Sequence, residues 1–212
     1  MHNASKIVRW TAVILSAAYA FALYLSGTHL EQGPKQALAY LPTALSLIVV
    51  AFDLWLWKIP GVHRFVGRPR LDGAWLGTLQ PHPDSQIPPG GNCGPIDTAV
   101  IIEQTYWSIS VSLMTAESAS LSTSAAIHAN GDSRQRRTLA YTYLNTPKQE
   151  HRDRSHLHVG AVRLEIVGRV PATLTGTYWT DRLTVGGMDL RRIDRRTDHS
   201  SLASVQSAAQ RS

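Results

Sequence analysis

A single cysteine, Cys93, stands among 212 residues, so no disulfide within the chain is available. A secreted domain of this size more often pairs its cysteines, and the composition fits a reducing cytosol. Catalytic signatures are missing too. The chain has no serine nucleophile elbow, no P-loop, no dinucleotide glycine fingerprint and no Cys/His set at metal-ligand spacing. His151, His156 and His158 flank a charged loop without accompanying thiolates or carboxylates, which favours solvated or strand-face histidines over a metal site. These absences argue for a protein that binds rather than catalyses, with no cofactor. Acidic residues are scarce, 15 against 21 Lys and Arg, giving a formal charge of +6. Such a balance suits either an anionic membrane surface or an anionic ligand, and charge alone does not choose.

Two apolar runs open the chain, Ile7–Leu25 and Ala37–Trp57, of about 19 and 21 residues. Each approaches the ~20 residues needed to cross a ~30 Å hydrocarbon core. A signal peptide is disfavoured for the first, because an h-region is shorter, no clean cleavage site follows, and the second run reads as a stop-transfer segment. Lys6 precedes the first run and Arg9 lies at its start, and Lys58, Arg64, Arg68 and Arg70 follow the second, whereas the loop between them has only Lys35 against Glu31. Cation bias therefore predicts a membrane hairpin with both termini cytoplasmic, and Trp10, Trp55 and Trp57 at one headgroup level as an aromatic belt. Ser16 and Ala20 lie at i, i+4 spacing and offer a small-residue face for helix association. Asp53 is the one acid inside either run; a hairpin brings it to the depth of Arg9, so it can pair there, reach the headgroups beside Trp55, or line a wet path after assembly.

From Leu71 the periodicity becomes two, and no helix-period stretch follows. Gly73–Gln80, Thr98–Met114, Ala119–Ala129, Thr138–Asn145, His156–Val167, Thr173–Arg182 and Val185–Asp194 read as strands, the second long enough to bend or count twice. The expected fold is a transmembrane hairpin (1–58), a basic linker (59–70) and a small antiparallel up-and-down β-barrel of about eight strands, lipocalin-like (71–196). Closure removes edges that would aggregate. Loops around Pro83–Pro95 and Asn145–Ser155 suit a mouth or lid, and the Ser/Ala/Gln-rich tail 197–212 reads as disordered.

Gly73-Ala-Trp75 resembles the first strand of small ligand-binding barrels in which a Trp plugs the closed end, with Arg191 and Arg192 available as a cation–π lid. Trp107, Ile109, Val111 and Leu113 share one face, with core filling the simplest role. Tyr141, Tyr143 and Asn145 are in phase, as are Gly176, Tyr178, Thr180, Arg182 and Thr184. Such polar rows are costly in a dry core, on the order of 1–3 kcal/mol for each unpaired group. Either they face solvent, or they line a wet cavity in which tyrosines stack bases and Arg182 pairs with phosphate. His158 stands where a strand enters the barrel.

The order of two spans, LDGAWLGTLQ, the long strand from Gln104 to Thr115, LAYTYLNTP, HVGAVRLEI and LTGTYWTDRLTVGGMDLRRI resembles the two-transmembrane, β-strand-rich effectors of bacterial CBASS anti-phage defence. The resemblance covers nearly the whole chain and includes a Gly-x-Tyr-x-Thr-x-Arg-x-Thr-x-Gly alternation at residues 176–186. It implies a barrel that senses a cyclic dinucleotide or oligonucleotide made by a partner nucleotidyltransferase, not DNA or RNA. It also implies homo-oligomerisation on activation and disruption of inner-membrane lipid. Two other functions remain compatible with such a barrel: a membrane-anchored carrier, which needs an apolar cavity, and an interaction scaffold, which needs none.

Overall fold

The computed structural model describes residues 2–25, 34–87, 89–130, 133–153 and 155–211. They form two compact units, Met1–Gly67 with Thr105–Ser108, and Arg68–Gln104 with Ile109–Ser212.

The first unit is helical: α1 (His2–Leu25), α2 (Pro34–Leu54) and α3 (Pro60–Val66). The second apolar run leaves the α-helix at Leu54, and a 3-10 turn follows at Leu56–Lys58. Pro60 bars the α conformation to its predecessor, and Ile59 is extended at ψ 131°. Pro60 then opens α3 within what the sequence suggests is a linker, and Gly67, left-handed at φ 66°, ends it. The sequence predicts membrane-crossing helices; the two helices are there, but among the described residues no helix is long and apolar enough to cross a membrane. Arg9, Ser16, Ser46 and Asp53 interrupt the described stretches. The loop with Glu31 lies outside the described residues, as does the Lys35 side chain.

Polar groups organise the contact between the helices. Ser16 and Ser46 are buried and their hydroxyls pair. Ser46 Oγ also lies 3.0 Å from the Ala12 carbonyl. Ser16 therefore faces α2, not outward as an association face requires, while Ala20 is exposed. Asp53 is fully buried, and its carboxylate accepts from the Arg9 guanidinium and, at 3.0 Å, from the Trp107 N–H. The Asp53 carbonyl accepts from the Tyr106 N–H at 3.0 Å and from Trp57 Nε1 at 3.1 Å. A buried carboxylate persists only when charge and hydrogen bonds replace its water, and both do here. Trp57 is consequently fully buried, whereas Trp10 and Trp55 are exposed, so the expected belt of three tryptophans reduces to two.

The second unit is a closed antiparallel barrel, β1 (Gly73–Pro81), β2 (Ile96–Gln104), β3 (Ile109–Met114), β4 (Ser118–Asn130), β5 (Ser133–Pro147), β6 (His158–Val167), β7 (Thr173–Thr180) and β8 (Val185–Asp194). Every strand pairs with its sequence neighbours, and β1 pairs with β8. The run Thr98–Met114 is two strands, divided by a turn in which Thr105 N–H donates to the Ser108 carbonyl at 3.0 Å. Trp107 sits in that turn, so it does not share the barrel-core face of Ile109, Val111 and Leu113.

One end of the barrel is filled by Leu71, Trp75, Ile102, Leu139, Leu164, Ile166 and Leu174. Trp75 Nε1 donates to the Leu71 carbonyl at 2.9 Å, and Gln104 closes the same end, accepting from Leu71 N–H at 2.7 Å and donating to the Pro69 carbonyl at 2.9 Å. The cation over Trp75 is Arg192, with its guanidinium carbon 5.0 Å from the ring centre. Strand alternation makes Arg191 an exposed residue, which corrects the expectation for that position. At Gly73 (φ 129°) a Cβ would stand 2.2 Å from the Asp194 carbonyl oxygen, so only glycine lets β1 begin this close to the end of β8.

The tail is ordered, contrary to expectation: α4 (Leu202–Ala209) is capped by Ser201 and Ser204 in a reciprocal box. Composition suggested disorder because the tail has few apolar residues, but two of them dock it. Val205 is fully buried in a cluster with Ala74, Ala99 and Ile101, and Leu202 packs against the same cluster; the two alanines leave room for a helix. Val205→Ala should lower the unfolding free energy by about 1–3 kcal/mol in chemical denaturation. An unchanged midpoint would mean that α4 does not support the barrel.

Candidate ligand-binding site

At the end opposite Trp75 the barrel holds a cavity of about 460 Å³. The loop 82–95, the turns 115–117 and 181–184 and the loop 148–157 all lie at this end, since β1, β3, β5 and β7 run toward it and β2, β4, β6 and β8 away from it. Strand register stacks the inward residues in tiers. Asn145 pairs with His158 nearest the mouth; Tyr143, Gly160 and Thr180 come next; Tyr141, Val162, Tyr178 and Gly186 lie deepest. The in-phase tyrosine rows thus face inward. Tyr143, Asn145, His158, Tyr178, Thr180, Arg182 and Thr184 line the cavity. Tyr141 does not: it is buried beneath, its ring centre 6.2 Å from that of Tyr143, and its hydroxyl has no partner among the described residues.

Several lining residues had no distinguishing pattern in the sequence. Leu79, Ile96, Leu113, Val162 and Met188 make an apolar wall, and Asn92, Glu117 and Ser120 add polar groups from other strands and loops. Gly160 is the more informative omission, and Gly186, already part of the alternation at residues 176–186, has a matching role. A Cβ on Gly160 would stand 2.4 Å from Tyr143 Cζ and Oη, and one on Gly186 would stand 2.7 Å from Tyr178 Cε1. Each tyrosine ring therefore lies over a glycine. Glycine inside a strand is a signal for close approach, and it was available in HVGAV and TVGGM.

Thr180 Oγ1 accepts from the backbone N–H of Arg182 at 3.2 Å and of Thr184 at 3.3 Å, which shapes the turn that carries the guanidinium. Arg182 Nη1 donates to Ser155 Oγ at 3.0 Å and lies 3.5 Å from His158 Nδ1. Among the described residues no carboxylate forms a salt bridge with Arg182. The adjacent Asp181 carboxylate instead accepts from the Val159 N–H at 3.2 Å. The site presents two phenols, a carboxamide, an imidazole and a cation that no carboxylate among the described residues pairs. Such a set can stack planar rings and bind an anionic oxygen. Among the described residues no three His, Cys, Asp or Glu side chains gather to hold a metal.

Burial shapes the acid–base behaviour of these groups. It pushes Tyr143 up to about 12, helped by Tyr178 and Asp181, and Tyr178 up to about 12. Tyr141 is raised further by the same cause. His158 is lowered, mainly by burial and also by Arg182, against the opposing pull of the His156 carbonyl and Asp181. Between the ordinary phenol value near 10 and about 12, the folded barrel holds protons that the unfolded chain has released, so stability falls as pH rises through that window. Ultraviolet titration should show late-ionising phenols, with Tyr143→Phe and Tyr178→Phe each removing one. Seven tyrosines all titrating near 10 would contradict the burial of this site.

Two comparisons agree with this geometry. The chain is 27% identical over 188 residues to the CD-NTase-associated protein 15 of Staphylococcus schleiferi, an alignment that spans 89% of this chain and 94% of that protein. Residues 66–192, which contain all eight strands up to the last turn of β8, match the family described as Cap15, cyclic dinucleotide receptor domain. The chain belongs to the Cap15 family of CBASS effectors, with the barrel as its cyclic dinucleotide receptor domain.

Proposed function

We propose that the open end of the barrel is the receptor site for a cyclic dinucleotide made by a partner nucleotidyltransferase during phage infection, and that occupancy drives self-association and membrane disruption by the helical hairpins. The observation that carries the first half is Arg182, a guanidinium without a carboxylate partner in a tyrosine-lined cavity. The volume falls in the ~300–1,000 Å³ range of small-molecule sites. Tyr143 and Tyr178 supply ring surfaces for two bases, Asn145 and Thr180 hydrogen-bonding groups, and Arg182 a phosphate partner. A scaffold would fill this space. A hydrophobic carrier accounts for the apolar wall but leaves Arg182 without a purpose.

The membrane half rests on the hairpin. With 24 and 21 residues, α1 and α2 measure about 36 and 32 Å, comparable in length with a ~30 Å core although the described stretches fall short of it in apolarity. Ile14, Leu15, Phe21, Leu45, Leu47 and Ile48 are exposed along them, and inner-membrane lipid is the medium suited to those side chains. The cations Lys58, Arg64, Arg68 and Arg70 after α2 favour cytoplasmic termini. Burial of Ser16 between α1 and α2 moves the proposed association face elsewhere, to these exposed apolar side chains.

Calorimetry of the full chain in detergent against a panel of cyclic dinucleotides should find one that binds, and Arg182→Ala should weaken it by about 10–100-fold, the range of a charged hydrogen bond, with little change in melting temperature. Binding by none of the panel would overturn the receptor reading. In dye-loaded vesicles of bacterial lipid, the same ligand should trigger release by wild-type protein and not by Arg182→Ala. Release that is independent of ligand, or absent while binding persists, would reject the gated membrane step.

A further inference from the structure

We propose that His158 completes a phosphodiester clamp with Arg182 by taking up a proton as ligand binds, so that the site holds one cation when empty and two when filled. The proposal rests on the cyclic dinucleotide reading above and specifies how the site handles the phosphate.

The geometry poses a conflict that a proton resolves. His158 Nδ1 lies 3.1 Å from the His156 carbonyl oxygen and 3.5 Å from Arg182 Nη1. The first contact needs a hydrogen on Nδ1 and the second needs a lone pair there, so a single neutral tautomer satisfies only one of them. The carbonyl contact is the shorter, which assigns the hydrogen to Nδ1. Nε2 then carries a lone pair.

A phosphodiester offers only acceptor oxygens near neutral pH. It repels a bare Nε2 and binds an Nε2–H. Adding one proton at Nε2 keeps the Nδ1–H bond to His156 and turns the ring into a donor toward the ligand. The same phosphate draws Arg182 away from the imidazole and neutralises the charge that opposes protonation.

The groups facing His158 allow this change. Arg182 and Asp181 come from the turn between β7 and β8, Tyr143 from β5, Tyr178 from β7 and Glu117 from the turn between β3 and β4. The phenols stay neutral near pH 7 and Asp181 favours the imidazolium. Arg182 is the group among them that disfavours it, and the ligand screens Arg182.

Calorimetry of the full chain with the panel dinucleotide that binds, at pH 6 and pH 8 in buffers of different ionisation enthalpy, tests the proposal. Affinity should be a few-fold higher at pH 6 than at pH 8, below the roughly tenfold ceiling that a one-unit rise in the imidazole's midpoint on binding sets. The observed enthalpy should change with the buffer in the sense of proton uptake. His158→Gln, which offers a donor without titrating, should flatten the pH profile while keeping measurable affinity. Equal wild-type affinity at both pH values with no buffer dependence would overturn the proton uptake and leave the receptor reading standing. A pH profile preserved in His158→Gln would overturn it too, by assigning the proton to another group. Binding by no dinucleotide at either pH would remove both.

Discussion

The pairing of β1 with β8 is the constraint on which the barrel depends. Once that pair closes, no strand has a free edge, and the parity of every position becomes fixed as inside or outside. Trp75, Tyr143, Val162, Tyr178 and Met188 turn inward by that parity, and Ala74, Ala99 and Ile101 turn outward, where α4 covers them. Closure also assigns the two ends different chemistry. Residues at the Trp75 end are apolar and interlocked through Gln104, Leu71 and Arg192, whereas the other end collects hydroxyls, phenols and the guanidinium around an empty volume.

Much of this was legible in the residues, and the reason is periodicity. Alternation over LAYTYLN and TGTYWTDRLT fixes which side chains share a face, and the polar character of those faces argued against a dry core. What alternation does not report is depth. Tyr141 has the same phase as Tyr143, yet lies one tier deeper and outside the cavity, buried against the Tyr143 ring. The division of Thr98–Met114 was similarly hidden, because Thr105 and Ser108 form a turn through their own hydrogen bonds without a proline or glycine to mark it. Composition misjudged the tail for a related reason: the docking of α4 rests on Val205 and Leu202 and on a patch of Ala74, Ala99 and Ile101 more than a hundred positions earlier. Arg191 and Arg192 are indistinguishable by type, and only the inward step from Leu190 identifies Arg192 as the one above Trp75.

In the helical unit, hydropathy located the helices while polar residues determine how they pack. Asp53 joins Arg9, Trp57 and the turn 105–108 through four separate groups. Its carboxylate holds Arg9 and the Trp107 N–H while its carbonyl holds Tyr106 and Trp57, which defines one arrangement of the surroundings, since any sliding of α1 against α2 would leave charge without compensation. Ser16 and Ser46 act in the same way at a second level, where their hydroxyls and the Ala12 and Pro42 carbonyls replace ordinary side-chain packing.

Gly160 and Gly186 contribute no side-chain atom to the chamber, but the space they leave sets where the rings of Tyr143 and Tyr178 rest. At Gly160 a methyl group would meet the Tyr143 ring and the Trp179 carbonyl oxygen at 2.8 Å, and at Gly186 the Tyr178 ring and the Gln80 carbonyl oxygen at 2.3 Å. Each position is therefore held by a neighbouring strand's backbone as well as by a ring. A side chain at either one would move a tyrosine and spread two paired strands at once, so the shape of the chamber is set as firmly by the residues that lack side chains as by the aromatic rings above them.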